Sequence, residues 1–224
     1  MSDILARGAG LRREFGNRQA PVVAVAEATF EIRESDRIAL VGPSGSGKTS
    51  LLYLIAGLDQ PSAGTIEWPS LGGAGDLRPG LVSVAFQGPS LLPPLTVSEN
   101  VALPALLAGT RTEDATAAAQ DLIGQLGLSE VASKLPEEIS GGQAQRAGVA
   151  RALMGRPRLI LADEPTGQLD PGSSARLIDL MFGHAEATGA ALVIATHDAS
   201  VARRMPLRWT IADRKLQTGA PCTS

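Results

Sequence analysis

Gly42-Pro43-Ser44-Gly45-Ser46-Gly47-Lys48-Thr49 brings three glycines, a lysine and a hydroxyl together in one short stretch. Glycines at positions 42, 45 and 47 admit backbone conformations closed to residues that carry a side chain, so successive N–H groups can turn inward on a phosphate. Lys48 then reaches toward the terminal phosphates, and the Thr49 hydroxyl offers an oxygen to Mg²⁺. A second constellation follows far downstream, where the apolar run Leu159-Ile160-Leu161-Ala162 ends in Asp163-Glu164. A carboxylate at the end of such a strand, beside a phosphate loop, holds Mg²⁺, which gives Asp163 that role. Glu164, one residue on and facing the other way, is placed to polarise an attacking water. The chemistry these residues suit is nucleoside triphosphate hydrolysis.

The elements around them agree. Arg37-Ile38-Ala39-Leu40-Val41 reads as a buried strand, and Thr49 to Ala56 as a helix, so the glycine loop joins a strand to a helix N-terminus. The dipole of that helix adds to the pull on an anion. Ser140-Gly141-Gly142-Gln143 opens a further helix, expected from Gly142 to Met154 and stopped near Gly155 and Pro157. Ser140 falls at its N-cap with its hydroxyl free, making a second anion-binding helix end. Gln87 follows the strand Leu81 to Phe86, and His197 follows the strand Ala191 to Ala195. A lone loop glutamine is ordinarily just solvated, whereas a neutral imidazole at a strand end can contact a γ-phosphate. His184, with no motif around it, reads as a structural histidine.

In this order, the motifs resemble those of the nucleotide-binding domains of ABC transporters. Ser140-Gly141-Gly142-Gln143 looks like the family's signature motif, with Ile139 where leucine is more usual; Gln87 resembles the Q-loop glutamine; Gln168-Leu169-Asp170 resembles the D-loop; and Thr196-His197-Asp198 resembles the switch-histidine segment. The resemblance runs from about Phe15 to about Leu216. It implies ATP and Mg²⁺ as ligands, with nucleotide contacts from Gly42, Pro43, Ser44, Gly45, Ser46, Gly47, Lys48, Thr49 and Ser50, and Mg²⁺ held by Thr49, Gln87 and Asp163. Glu164, His197 and Gln87 would form the catalytic group. The resemblance also implies a homodimer formed on ATP binding, in which Ser140, Gly141, Gly142 and Gln143 of each copy cap the nucleotide on the other. Gly57-Leu58-Asp59-Gln60-Pro61, the segment Leu91 to Val101 and Asp163 to Asp170 are similar to the branch that serves lipoprotein release, macrolide export and cell division. That branch implies a separate, permease-like integral membrane partner and a peripheral place at the cytoplasmic face of the membrane. The alternative is a soluble ATPase switch of the same family with no membrane partner. Such relatives usually carry two ATPase domains or a long coiled-coil insertion, and this chain has neither.

Three departures from the family pattern stand out. The segment Ala63 to Gly80 is short and reads as loop-like, with Gly72-Gly73-Ala74-Gly75 inside, so a trimmed antiparallel region is expected. Phe15 is the candidate aromatic for stacking on adenine, and it reads equally well as a core residue near the first strand. Thr49-Ser50 reverses the usual order of hydroxyl residues, and either hydroxyl can bind Mg²⁺.

The fold class expected is α/β: a P-loop NTPase core with a mostly parallel sheet, a small antiparallel β region and an inserted helical subdomain at about residues 88 to 145, all within one domain spanning 1 to 224. In that insertion, Ala115, Ala118, Ala119, Leu122, Ile123 and Leu126 share one helical face. A later helix is expected from Ser174 to Phe182, and a closing hairpin from Trp209 to Ala212 and Arg214 to Leu216 around Asp213. The net charge of -3 leaves no nucleic-acid footprint. A single cysteine, Cys222, argues against a disulfide framework. No apolar stretch approaches the roughly 18 residues of a membrane span and the N-terminus carries no charged-then-apolar leader, so a cytosolic domain is expected.

Overall fold

The computed structural model describes residues 3–17, 20–88 and 90–219; Cys222, and Pro89 of the Gln-Gly-Pro loop, lie outside them. Among the described residues, nine strands form a single sheet in the order β4-β1-β2-β9-β8-β3-β7-β6-β5. Its centre is parallel: β3 (Arg37–Val41) lies between β8 (Leu207–Ala212) and β7 (Ala191–Ala195), with β6 (Leu159–Asp163) and β5 (Val82–Ala85) beyond. These central strands are almost continuously apolar because both faces are covered. Ala39, Ile160, Ala162, Leu192 and Ile194 point into one core, while Ile38, Leu40, Leu159, Leu161 and Val193 point into the other. Helix α1 (Lys48–Ile55) packs on the second face through Leu51, Leu52, Leu54 and Ile55.

The antiparallel region consists of β1 (Ile4–Phe15) paired with β2 (Val22–Arg33) on one side and with β4 (Ala63–Glu67) on the other. Strand β4 corrects the loop-like reading of the segment from Ala63. Its residues are mostly exposed edge positions, so no apolar alternation marked them. The chain after β4 is anchored by Trp68, whose indole N–H donates to the Ile55 carbonyl at 2.9 Å, and by the buried Leu77.

The inserted segment holds α2 (Val97–Leu107), α3 (Thr112–Gln125) and the start of α4 (Gly141–Leu153). A capping box between Thr96 and Glu99 sets the start of α2. On α3 the residues Ala115, Ala119, Leu122 and Ile123 are buried as expected, and Leu126 just beyond it is buried too, but Ala118 faces solvent. Helix α5 runs from Pro171 to Thr188, longer at both ends than expected. Asp170 caps its start by accepting from the Ser173 N–H at 3.0 Å, Pro171 fits the first turn, and Gly189 ends it at φ 70°. A short helix, α6 (Ala199–Ala202), follows β7. The closing hairpin pairs β8 with β9 (Lys215–Thr218), and both Asp213 and Arg214 take positive φ in the turn, so Arg214 belongs to the turn and not to the strand.

Candidate functional site

The glycine loop leaves β3 at Val41 and enters α1 at Lys48, as the sequence places it. Gly47 is the N-cap of α1 at φ 106°, and a Cβ there would collide with the Ala24 carbonyl of β2. A Cβ on Gly42 would stand 2.6 Å from the Ile211 carbonyl of β8. The loop is therefore moulded against the sheet on two sides, and only glycine fits at these two positions. Pro43, Ser44 and Gly45 are exposed and border a cleft of about 410 Å³ with the hairpin turn at Asp213 and Arg214.

Lys48 is buried, and its ammonium donates to the Gly42 carbonyl at 2.9 Å and the Pro43 carbonyl at 3.2 Å. The cation thus turns back on its own loop, within 3.9 Å of the Glu164 carboxylate. Beside it the Ser46 hydroxyl is buried with no hydrogen-bond partner. A buried ammonium and an unpartnered hydroxyl at a helix N-terminus form a nest suited to an anion with several oxygens, such as the phosphates of a nucleotide.

Asp163 ends β6 opposite Ala195 of β7, and its Oδ2 accepts from the Thr49 hydroxyl at 2.6 Å. Burial pushes the Asp163 carboxyl above its ordinary value; the Thr49 hydrogen bond opposes this, the Glu164 charge reinforces it and Lys48 lowers it. Two hard oxygen donors, the Thr49 hydroxyl and the Asp163 carboxylate, thereby meet next to the phosphate nest, which fits Mg²⁺. Ser50, the next residue of α1, is half-buried.

Glu164 has φ 48°, a left-handed backbone that costs a non-glycine residue about 1–3 kcal/mol. Its N–H donates to the Ala195 carbonyl at 2.9 Å, and its carbonyl accepts from the Gly167 N–H at 3.1 Å and the Gln145 amide at 3.0 Å. The carboxylate is nearly buried and meets His197 twice, at 2.9 Å from Nδ1 and 3.3 Å from the backbone N–H. The imidazole itself is 74% exposed. With its Nδ1 side turned to the Glu164 carboxylate, the ring must leave that carboxylate before the expected contact of a neutral His197 with a γ-phosphate can form.

Gln87 is exposed two residues beyond Ala85, which pairs with Ala162, so it stands at the same end of the sheet as the acidic pair. The segment after it is tied to α4 by Arg151, whose guanidinium donates to the Ser90 carbonyl at 2.8 Å and to the Ser90 hydroxyl. Phe15 is 43% exposed at the end of β1, which removes its reading as a core residue. It pairs with Val22, two residues from the Ala24 carbonyl that abuts Gly47, and the Arg13 guanidinium lies 4.3 Å from its ring centroid. His184 is half-buried on α5 with its Nε2 unpartnered; burial, with Arg156 nearby, lowers its pKa.

Ser140 does cap α4, but its hydroxyl is not free as expected. It accepts from the Gln143 N–H at 3.3 Å while the Gln143 side chain accepts from the Ser140 N–H at 2.8 Å, a reciprocal capping box. Gly141 and Gly142 lie directly against the Gln168-Leu169 segment, where a Cβ on Gly141 would stand 2.8 Å from the Gln168 side-chain oxygen. Among the described residues no hydrogen bond or ion pair joins Ser140 to Gln143 with the loop of residues 42–50.

One participant, Gln145, lies outside the candidate residues of the sequence. Gln145 is 3% exposed on α4, donating to the Glu164 carbonyl and accepting from the Gln168 N–H at 2.9 Å. Its signal was available: it is a polar residue in the buried row that continues through Val149 and Ala152.

A family model described as ABC transporter matches residues 25–167. The lipoprotein-releasing system ATP-binding protein LolD of Hydrogenovibrio crunogenus is 36% identical over 220 residues, covering 95% of this chain and 96% of that one. The protein of the same name from Gluconobacter oxydans is 40% identical over 214 residues, covering 92% and 93%. Among solved structures, a dimeric post-hydrolysis ATP-binding cassette bound to ADP and Pi superposes with a TM-score of 0.89 at 28% identity, covering 96% of this chain and 98% of that one. A dimeric structure of the same cassette, described as a bacterial ABC transporter cassette, gives 0.88 at 29% identity, covering 95% and 97%.

Proposed function

Because the chain belongs to the ABC transporter family, we propose that it is the ATP-hydrolysing subunit of a transporter-type membrane assembly, closing as a homodimer around two ATP to drive a separate integral membrane protein. The observation that carries this reading is the convergence of Lys48, Thr49, Asp163, Glu164 and His197 at one end of the parallel sheet. The dimeric cassettes it resembles support the homodimer. The names of its relatives support a lipoprotein-releasing assembly as the one it serves. No helix among the described residues is long and apolar enough to cross a membrane, so the span would belong to the partner. We place the subunit at the cytoplasmic face of that partner.

In this reading Lys48 exchanges the Gly42 and Pro43 carbonyls for the β- and γ-phosphates, and the loop N–H groups and Ser46 hydroxyl take the remaining oxygens. Thr49 and Asp163, with Gln87, would hold Mg²⁺, which when bound neutralises charge on the transferring phosphoryl group. Glu164 accepts a proton from the attacking water. His197, already hydrogen-bonded to that carboxylate, orients it and then faces the γ-phosphate. Phe15, exposed beside β2, stacks on adenine. Ser140, Gly141, Gly142 and Gln143 present the N-terminus of α4 to the nucleotide on the opposite subunit. The membrane partner would dock in the apolar groove of about 290 Å³ bordered by Phe86, Leu92, Leu107 and Arg151, where Leu92 is 43% and Leu107 65% exposed.

The test is to hold tagged Glu164→Gln protein with ATP and Mg²⁺ and recover it from detergent-solubilised native membranes. Stoichiometric recovery of an integral membrane protein is the expected result. Recovery of a soluble ATP-bound homodimer alone would replace this reading with a soluble switch.

A further inference from the structure

We propose that Gln145 is a positioning residue for hydrolysis, fixing the strained peptide of Glu164 to the signature helix α4. The proposal rests on the reading of Glu164 as the group that polarises water. Glu164 sits at φ 48°, a conformation that persists in a non-glycine residue only where its surroundings over-determine it. Its N–H is held by β7 through Ala195, and the Gly167 bond lies within its own turn. The remaining restraint on its peptide comes from α4, as the 3.0 Å bond from the Gln145 amide to the Glu164 carbonyl.

The same side chain accepts from the Gln168 N–H at 2.9 Å, so one buried amide spans both ends of the turn from Glu164 to Gln168. Both of its polar atoms are used, and neither bond can be replaced by water without opening the core. Gln145 lies on the helix that Ser140 caps, two residues after Gln143, and Gly141 itself abuts Gln168. Any shift of the helix end that meets the opposite subunit's nucleotide is therefore passed to the Glu164 peptide. A displacement there swings the carboxylate, because the side chain leaves from the residue whose backbone is being held.

Single-turnover ATP hydrolysis and fluorescent-nucleotide binding, measured on the full chain, test this. Gln145→Leu is expected to slow hydrolysis about 10- to 100-fold while nucleotide affinity stays within about threefold. Gln145→Glu keeps the acceptor for Gln168 and loses the donor to Glu164, so it is expected to fall close to the leucine variant. In a Glu164→Gln background, adding Gln145→Leu should change the residual rate by less than about twofold, since a residue acting through Glu164 has nothing left to position. Hydrolysis by Gln145→Leu at the parent rate overturns the proposal, and so do equal losses in both backgrounds, which mark a merely structural role. Should the leucine variant fail to fold, Gln145→Glu at the parent rate overturns it alone. A parent protein that hydrolyses no ATP would instead remove the proposed function.

Discussion

The Thr49 hydroxyl donates to the Asp163 carboxylate at 2.6 Å, joining the first turn of α1 to the end of β6 across the sheet. Both groups are the hard oxygen donors that Mg²⁺ would take, and here they hydrogen-bond to one another. Burial raises the Asp163 pKa despite this bond. An acid whose pKa is raised by folding binds more protons in the native than in the unfolded state between its two values, so stability falls as pH rises through that interval. Above the raised native value the penalty is present in full. Asp163→Asn keeps an acceptor for Thr49 and removes the charge. It is expected to raise the melting temperature of the ligand-free protein at pH 7, by about 2–4 °C per kcal/mol relieved, while abolishing Mg²⁺-dependent hydrolysis. The gain should shrink as the pH is lowered toward the ordinary carboxyl value of 3.8. A variant that melts below the parent at pH 7 contradicts this account.

Lys48→Ala and Glu164→Gln should separate binding from chemistry. The first removes the buried cation of the phosphate nest and is expected to lose most ATP binding. The second keeps binding and slows turnover by about 10² to 10⁴, the usual worth of a positioned general base. Titration with a fluorescent nucleotide beside a phosphate-release assay distinguishes them, and parental turnover by Glu164→Gln would remove its assigned role.

His197→Ala deletes the exposed imidazole that holds Glu164 Oε2 at 2.9 Å, but leaves the backbone N–H in place. Turnover is expected to drop about 10²-fold with nucleotide affinity nearly unchanged. Folding stability should also stay near the parent's, because the ring is mostly in solvent. A thermal melt recorded with the kinetics checks both halves of the expectation.

Ser140→Arg breaks the reciprocal cap with Gln143 and crowds the N-terminus of α4. Loss of the cap costs about 0.5–2 kcal/mol, which leaves the fold intact, and the monomer should still bind ATP through its own loop. Dimerisation on ATP, followed by light scattering in a Glu164→Gln background, is expected to disappear. Persistence of the dimer would sink the cross-subunit role of the signature segment.

Phe15→Ala is expected to weaken ATP binding by the roughly 1–3 kcal/mol that base stacking on an aromatic contributes, whereas Phe15→Trp should retain it. Because Phe15 is already 43% exposed, neither change should lower the melting temperature much. Unchanged ATP affinity in the alanine variant, by calorimetry, would leave the ring as a cover for Arg13.

The phosphate loop, the acidic pair and the strands that carry them were legible in the sequence because they are set by local rules. Glycine spacing, a continuous apolar run and a helix following the loop are each properties of a few consecutive residues, and β3, β6, β7 and α1 appear where those rules put them. The N-cap at Ser140 was legible for the same reason, although its hydroxyl, expected free, is engaged in a reciprocal cap with Gln143. Edge strand β4 was not legible, since its exposed residues show no alternation and it is defined by pairing with β1. The full length of α5 is signalled by Asp170, Pro171 and Gly189, which cap a helix longer at both ends than the expected Ser174 to Phe182.

What tertiary structure alone decided is who touches whom. The sequence names Thr49 and Asp163, or Glu164 and His197, as separate motifs, and only the order of β3, β7 and β6 in the sheet brings them within hydrogen-bonding distance. The left-handed backbone of Glu164, the buried amide of Gln145 that helps hold it and the return of Lys48 to its own loop are likewise invisible in one dimension. The first two depend on long-range packing that fixes a conformation the local residues would not choose by themselves, and the third on the three-dimensional path of the loop, which carries the Gly42 and Pro43 carbonyls back to Lys48.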